Sequence, residues 1–197
     1  MKLYFSYCCL LLISLTLSTS TAAQSKSKVE DSAEVDLEDI GELPLVFRRT
    51  TLIVRDIGKS LALYKDIIGM EVIYDNTMQR PHPDDGRMQT LRLVFLKATH
   101  SFYGVLGLLE FDYKDPKKIA SPVRKTGFAE QNIVLLFNSA DLETQFEQIK
   151  QLSDVEIISE PKLTEYPSYD GKNKIKVIVS KFYDPDGFLI EFNKLID

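Results

Sequence analysis

Apolar residues follow two kinds of spacing along this chain, and the spacing predicts two groups of strands with one helix in each. In the first group, the β-branched run RTTLIVRD predicts a strand that ends at Asp56, a residue that can cap a helix. The apolar residues of that helix recur at helical spacing: Leu61, Tyr64, Ile67 and Ile68. Gly69 ends the helix, and MEVIYD, QTLRLVFLKAT and VLGLLEF predict three further strands. The predicted order is β-α-β-β-β.

The second group repeats this order. EQNIVLLFN predicts a strand, DLETQFEQIKQL a helix that opens at Asp141, and VEIIS, KIKVIVSKFY and FLIEF three more strands. Asp141 follows Asp56 at an offset of 85 residues, and LIEF at 189–192 follows LLEF at 108–111 at an offset of 81. Chance rarely reproduces both an element order and a tetrapeptide, so the sequence predicts an α+β fold of two tandem βαβββ modules.

The first 23 residues have a different pattern from the two modules. Lys2 precedes an apolar run from Leu3 to Leu17, and small residues follow as far as Ala23, which is the layout of a secretory signal peptide cleaved near Ala23. The run has about 15 residues, fewer than the roughly 20 that a membrane-spanning helix needs, and an uncleaved anchor stays open as the alternative. We therefore expect export to the periplasm or the extracellular space, with no stable membrane span in the mature chain.

Composition and charge exclude several kinds of binding site. The chain has 197 residues, a net charge of -5 and a pI near 5.2, so we do not expect a basic face that binds nucleic acid. Both cysteines lie within residues 1–23, which leaves the mature chain without disulfides or thiolate metal ligands. Residues 24–44 predict a flexible acidic leader. The domain follows at 45–197, with module one at 46–115, a linker at 116–127 and module two at 128–197.

The two modules resemble the vicinal oxygen chelate superfamily, which includes glyoxalase I, bleomycin-resistance proteins and extradiol dioxygenases. The resemblance lies in TLIVRDIGKSLALYKDIIGMEVIYD and in FYDPDGFLIEF, where DPDG predicts a tight turn, and it covers essentially all of residues 46–196. It implies that the strands form an open-sided barrel with a small molecule in its cup. It also implies that the metal enzymes of the family take one ligand from the first strand and one from the last strand of each module.

The resemblance assigns the two last-strand ligand positions to Glu110 and Glu191, which are also the candidate catalytic carboxylates. The first-strand position of module one is Arg49, whose guanidinium has no free lone pair for a metal ion. The corresponding position of module two is Asn132 if the strands are aligned and Val134 if the helices are aligned. A divalent metal is therefore disfavoured, and Glu110 and Glu191 are its ligands only if one is bound.

A site without a metal ion follows from the same charges. Arg49 could pair with one or both carboxylates or hold an anionic substrate group, and Thr51 shares its strand face. We therefore name Arg49, Thr51 and Asn132 as candidate substrate-binding residues.

Three functions stay open at this point. The first is a lyase, isomerase or dioxygenase-type enzyme that acts on a small oxygenated metabolite, with Glu110 or Glu191 as base or ligand. The second is a non-catalytic protein that binds a small molecule, as the bleomycin-resistance branch does. The third is a partner-binding protein whose cup is closed by pairing between arginine and glutamate. The expected partner is a small molecule and not a nucleic acid, and a homodimer is compatible with the sequence.

Overall fold

A computed structural model describes residues 44–82, 84–168 and 170–196. The predicted signal peptide, with both cysteines, and the predicted leader up to residue 43 lie outside the described residues. Within these ranges, no helix combines the length and the apolar character that crossing a membrane requires.

Module one has the predicted order of elements. Strand β1 (Arg49–Val54) leads into helix α1 (Ile57–Leu61), and β2 (Glu71–Pro81), β3 (Met88–Lys97) and β4 (Val105–Phe111) follow. The strand order in the sheet is β1-β4-β3-β2, with β1 parallel to β4 and the other pairs antiparallel. Strand β2 is longer than predicted because it stays paired with β3 as far as Pro81, opposite Met88.

The helix of module one changes its hydrogen bonding halfway along. Asp56 caps α1, as predicted, and its carboxylate accepts the backbone N–H groups of Gly58 and Lys59. The chain then continues as a π-helical segment, Ala62–Ile67, a form that is rare in proteins. The segment is followed by Gly69, whose φ of 89° suits glycine and ends the helix as predicted. The sequence pattern located the helix but held no signal for its change of type.

Module two repeats the arrangement. Its elements are β5 (Val134–Asn138), α2 (Leu142–Ile149), β6 (Glu156–Pro167), β7 (Lys174–Tyr183) and β8 (Leu189–Ile196). The sheet order is β5-β8-β7-β6, with β5 parallel to β8. Strand β5 begins at Val134 rather than at Glu130, and β6 extends past the predicted VEIIS through two register shifts. The DPDG turn between β7 and β8 is closed by a hydrogen bond from the backbone N–H of Gly187 to the carbonyl oxygen of Asp184.

The predicted α+β fold of two βαβββ modules is confirmed, and the two sheets are not closed into a barrel. Each sheet has four strands, and β1 and β5 are edge strands, each paired with one neighbour. A cavity of about 150 Å³ lies where the start of β1 comes near the end of β5. The two modules therefore approach each other along these two edges.

One hydrophobic core joins the modules, and it fixes which way each sheet faces. Both helices and one face of each sheet contribute to it, including Leu52, Val54, Tyr64, Leu108, Phe146, Ile190 and Phe192. The opposite face carries Arg49, Thr51 and Ile53 on β1, and Val134 and Leu136 on β5. We call the face of each sheet that is turned away from this core its open face.

Candidate functional site

The two matching carboxylates lie on opposite faces of their sheets. In β4, Glu110 pairs with Val54, whose side chain faces the core, so Glu110 points towards the helices. In β8, Glu191 pairs with Leu136 on the open face. A shift of one residue in a strand moves a side chain to the other face, so the two tetrapeptides match in sequence but not in orientation. Glu110 and Glu191, to which the resemblance assigns the two last-strand ligand positions, therefore do not face one shared cup.

Glu110 holds three segments of the chain together. Its buried carboxylate accepts the backbone N–H of Ile57 at 2.8 Å and the ammonium group of Lys118 at 2.5 Å. The same ammonium group donates to the carbonyl oxygen of Arg55 at 2.6 Å. A buried carboxylate needs a charged partner and hydrogen-bond donors, and these contacts supply both. Glu110 therefore connects the linker to the junction of β1 and α1, and it does not reach the open face.

Glu191 is the predicted carboxylate that lies on the open face. Its carboxylate accepts the side-chain amide of Asn193 at 3.0 Å and lies 3.6 Å from the ammonium group of Lys181. Asn193 is buried, and its Oδ1 has no hydrogen-bond donor among the described residues. Lys181 lies over the ring of Phe128, 5.0 Å from its centroid. The charge of Glu191 is therefore balanced by a lysine of the neighbouring strand.

Arg49 lies over an aromatic ring of its own sheet. Its guanidinium carbon is 3.9 Å from the centroid of Phe95, and its Nε donates to Oγ1 of Thr51 at 3.1 Å. The ring of Phe95 stacks in turn on Tyr74, with the centroids 4.8 Å apart and an angle of 25° between the planes. No carboxylate in the described part of the chain pairs with Arg49. The expected pairing with Glu110 or Glu191 is therefore wrong, because these groups face elsewhere or have lysine partners.

Gly107 gives Arg49 its path across the sheet. Strand β4 lies between β1 and β3, and Gly107 pairs with Thr51 on one side and with Phe95 on the other. A Cβ atom at position 107 would lie 3.2 Å from Cδ of Arg49 and 2.7 Å from Oγ1 of Thr51. Gly107 was not among the predicted site residues, although a glycine inside a predicted strand often marks a close approach of another group.

A cavity of about 760 Å³ lies where the end of β1 meets the linker and the start of module two. We call it the junction cavity. Ile53, Phe111 and Phe188 give it apolar walls, and Thr126 and Asn132 give it polar ones. Its volume is within the range of about 300–1,000 Å³ that small-molecule sites occupy. Among the predicted site residues, the structure therefore places Asn132 in this cavity and leaves Arg49 outside its walls.

Two cations in the wall of the junction cavity are already paired. Nε of Arg55 donates to Asp186 at 2.9 Å, and Lys118 is held by Glu110. Two further charged residues of the wall, Arg124 and Glu130, are exposed and form no ion pair within the described ranges. These two residues can therefore respond to a polar ligand without breaking an existing ion pair.

Asp184 and Tyr64 form a buried contact between the modules. The phenol of Tyr64 donates to the carboxylate of Asp184 at 2.7 Å, and the backbone N–H groups of Asp186 and Phe188 donate to its other oxygen. Burial raises the pKa of Asp184 to about 6, although these donors oppose the rise. Burial and the neighbouring carboxylate also raise the pKa of Tyr64. The contact fixes the DPDG turn of module two to the π-helical segment of module one.

The residues at the expected metal positions do not fit a divalent cation. Arg49 is itself a cation, Glu110 faces the helices, and the amide of Asn132 donates to the carbonyl oxygen of Thr126. Of these expected metal positions, Glu191 is the one that presents a carboxylate to the open face. The described ranges contain no group of three or more His, Cys, Asp or Glu side chains placed to hold a metal ion.

Comparison with known proteins identifies the family of this chain. No curated protein sequence matches it. A solved glyoxalase family protein from Bacillus cereus is 12% identical, with a TM-score of 0.56 over 78% of this chain and 95% of that chain. A protein of unknown function from Agrobacterium tumefaciens is 21% identical, with a TM-score of 0.45 over 78% and 97%. The trypanothione-dependent glyoxalase I of Leishmania major is 20% identical, with a TM-score of 0.44 over 76% and 86%.

The match to a family as a whole extends over both modules. The family model described as the Glyoxalase/Bleomycin resistance protein/Dioxygenase superfamily matches residues 46–192. This range runs from the residues before β1 into β8, and it includes the linker between the modules. The chain therefore belongs to the glyoxalase/bleomycin resistance protein/dioxygenase superfamily.

Proposed function

We propose that this protein binds a small molecule in the junction cavity and that it does so without a bound metal ion. The observation that carries the proposal is the cavity itself, which combines apolar and polar walls from both modules at a volume typical of ligand sites. The side chains at the expected metal positions support binding without a metal ion, because a guanidinium and an amide stand where a metal would need ligands.

The walls of the junction cavity indicate what kind of ligand it takes. The side chain of Ile53 is apolar yet half exposed, and an apolar ligand surface would cover it together with Phe111. Oδ1 of Asn132 accepts no hydrogen bond from the described residues, so it can accept one from a ligand. We therefore propose a ligand with an apolar body and at least one hydrogen-bond donor.

A metabolite screen by thermal shift, in the presence of EDTA, tests this proposal. We expect a ligand that raises the Tm of the protein with EDTA present, and a smaller rise in the Ile53→Gln variant. Leu163→Gln is the matched control, because Leu163 is 55% exposed, against 52% for Ile53, and does not line the cavity. A rise that needs added divalent ions, or one that Ile53→Gln leaves intact, would contradict the proposal.

Glu191 supports a second candidate function, in which the protein is an enzyme that transfers a proton on the open face. The carboxylate is partly exposed there and close to Lys181, so a substrate could reach it. The Glu191→Gln variant keeps the shape of the side chain and removes its basicity. Once a substrate is known, unchanged turnover in that variant would rule out an acid-base role for Glu191.

We also propose that the protein acts outside the cytosol. The charged Lys2, the apolar run from Leu3 to Leu17 and the small residues up to Ala23 support this. Mass spectrometry of the protein recovered from its native host tests the proposal. We expect a mature chain that starts close to residue 24, and recovery of the intact chain would contradict cleavage.

A further inference from the structure

We infer that the open face of module one carries a separate binding site for a small carboxylate, built around the guanidinium of Arg49. We call this site the arginine platform, and its residues are Arg49, Thr51, Tyr74, Phe95 and Gly107. The inference is independent of the proposed function, because none of these residues lines the junction cavity.

The guanidinium of the arginine platform is held in one orientation. Its carbon lies over the ring of Phe95, Thr51 accepts the N–H of its Nε, and Tyr74 stacks on the ring of Phe95. An ordinary exposed arginine samples many rotamers and loses that freedom on binding, whereas a side chain already fixed by its contacts loses less. The platform therefore has the ordered geometry that a binding site requires.

The free donors of the platform match the shape of a carboxylate. Nη1 and Nη2 of Arg49 donate to no described residue, and their N–H groups lie in the plane of the guanidinium. A carboxylate is also planar, and it accepts two parallel N–H bonds from the edge of a guanidinium. No described residue accepts a hydrogen bond from Nη1 or Nη2, so that edge stays available to a ligand.

The contact between Arg49 and Phe95 requires a glycine at position 107. Any side chain at position 107 would meet both Arg49 and Thr51 within the distances given above, so only glycine lets the arginine cross β4 to Phe95. Thr51 from β1, Gly107 from β4, Phe95 from β3 and Tyr74 from β2 thus lie along one line of paired residues, and the side chain of Arg49, two residues before Thr51, reaches over Gly107 to Phe95.

An apolar cavity next to Arg49 indicates the size of the ligand. It has a volume of about 150 Å³, and its apolar walls include Phe47, Leu135, Leu136 and Phe137. An apolar cavity of about this volume can hold a benzene ring. None of the described residues in its walls is acidic, while Arg48 lies beside Arg49 and over the ring of Phe102. The expected ligand is therefore a carboxylate with an apolar body of about one ring.

Titration of the protein with benzoate, followed by NMR or calorimetry, tests this inference. We expect benzoate to bind and its neutral isostere benzamide not to bind. Arg49→Met should weaken benzoate binding by roughly 10- to 100-fold, because two charge-assisted hydrogen bonds are lost. Arg49→Lys should also weaken it, because an ammonium group cannot offer the paired edge. Phe95→Leu should weaken it by about 2- to 5-fold through loss of the stacked ring.

Three further variants make the test specific. Gly107→Ala keeps the charge of Arg49 but displaces its side chain, so it should weaken benzoate binding while the protein stays folded by circular dichroism. Arg80→Met is the matched control, since Arg80 is exposed near the end of β2 and outside the platform. Ile53→Gln should leave benzoate binding unchanged, which separates this site from the junction cavity.

Several results would overturn the inference. They are the absence of benzoate binding at millimolar concentration, equal binding of benzamide, and unchanged affinity in Arg49→Met. Competition by inorganic phosphate as strong as that of benzoate would replace the carboxylate assignment with a general anion site. Failure of the metabolite screen at the junction cavity would leave these results unaffected.

Discussion

The open faces of module one and module two carry different chemistry on the same arrangement of strands. In module one the side chain of Arg49 reaches over Gly107 to Phe95, whose ring stacks on Tyr74. In module two the corresponding strands carry Glu191, paired with Lys181 and bonded to Asn193. The repeated sequence pattern thus corresponds to the core, where burial determines the type of residue. The residues on the open faces differ between the modules.

The buried contact between Asp184 and Tyr64 gives the largest expected effect on the free energy of unfolding. The pKa of Asp184 is about 6 in the folded protein, above its ordinary value of 3.8, so the folded state binds the proton more tightly. Its contribution to stability is therefore fully present below about pH 3.8 and is lost as the pH rises through about 6. The shift corresponds to a loss of about 3 kcal/mol in the free energy of unfolding.

Asp184→Asn should remove this dependence because an amide does not titrate. Urea denaturation from pH 4 to pH 7 measures it, and we expect the wild-type free energy of unfolding to fall relative to that of the variant. Asp170→Asn is the control, since the backbone N–H groups of Asn173 and Lys172 donate to the carboxylate of Asp170 and lower its pKa, which confines its effect to more acidic pH. Parallel pH curves for wild type and Asp184→Asn would show that Asp184 does not carry a raised pKa.

Substitution of the two matching carboxylates should give the next largest effect on the free energy of unfolding. Glu110→Gln should lower the free energy of unfolding by about 2 kcal/mol, because the charge that holds Lys118 and the N–H of Ile57 is removed from a buried site. Glu191→Gln should lower it by at most about 1 kcal/mol, because its lysine partner is farther away and partly exposed. Urea denaturation at pH 7 measures both. Equal losses would contradict the assignment of the two residues to opposite faces.

Predictions from the sequence succeeded where one face of a strand is buried and the other is not. Strand β1 alternates in this way, so the pattern placed Arg49 and Thr51 on one face correctly. Strand β4 is buried on both faces, from Val105 to Leu108, so alternation carries no signal there. The match between LLEF and LIEF therefore identified Glu110 as a matching carboxylate, but it did not predict the face of the sheet to which its side chain points.

Contacts between distant segments could also not be predicted from the sequence. The partner of Arg49 is Phe95, and the partner of Tyr64 is Asp184, 120 residues away along the chain. No local spacing encodes these pairs, because they depend on how the strands are ordered and how the modules pack. Asn132 was placed on a strand by alignment, but β5 begins only at Val134 and leaves Asn132 in the wall of the junction cavity.

The path of Arg49 across β4 can be measured through stability. Gly107→Ala should lower the free energy of unfolding by about 1 kcal/mol or more, because its Cβ would press on Arg49 and Thr51. Part of this loss should disappear in the double variant Arg49→Ala Gly107→Ala, because one of the two conflicts is then absent. A double-mutant cycle by urea denaturation should give a coupling of about 0.5 kcal/mol or more. Additive effects would mean that Arg49 does not lie against Gly107.

The smallest expected effect compares the two cation–aromatic contacts of the open faces. The guanidinium of Arg49 is 3.9 Å from the ring centroid of Phe95, whereas the ammonium group of Lys181 is 5.0 Å from that of the exposed Phe128. Exposed contacts of this kind contribute about 0.5–1 kcal/mol, and the shorter one should lie at the upper end. Double-mutant cycles with Arg49→Met and Phe95→Leu, and with Lys181→Met and Phe128→Leu, measure the two couplings. We expect the larger coupling in module one, where the ring is itself supported by Tyr74; a larger coupling in module two would mean that this support does not hold the guanidinium in place.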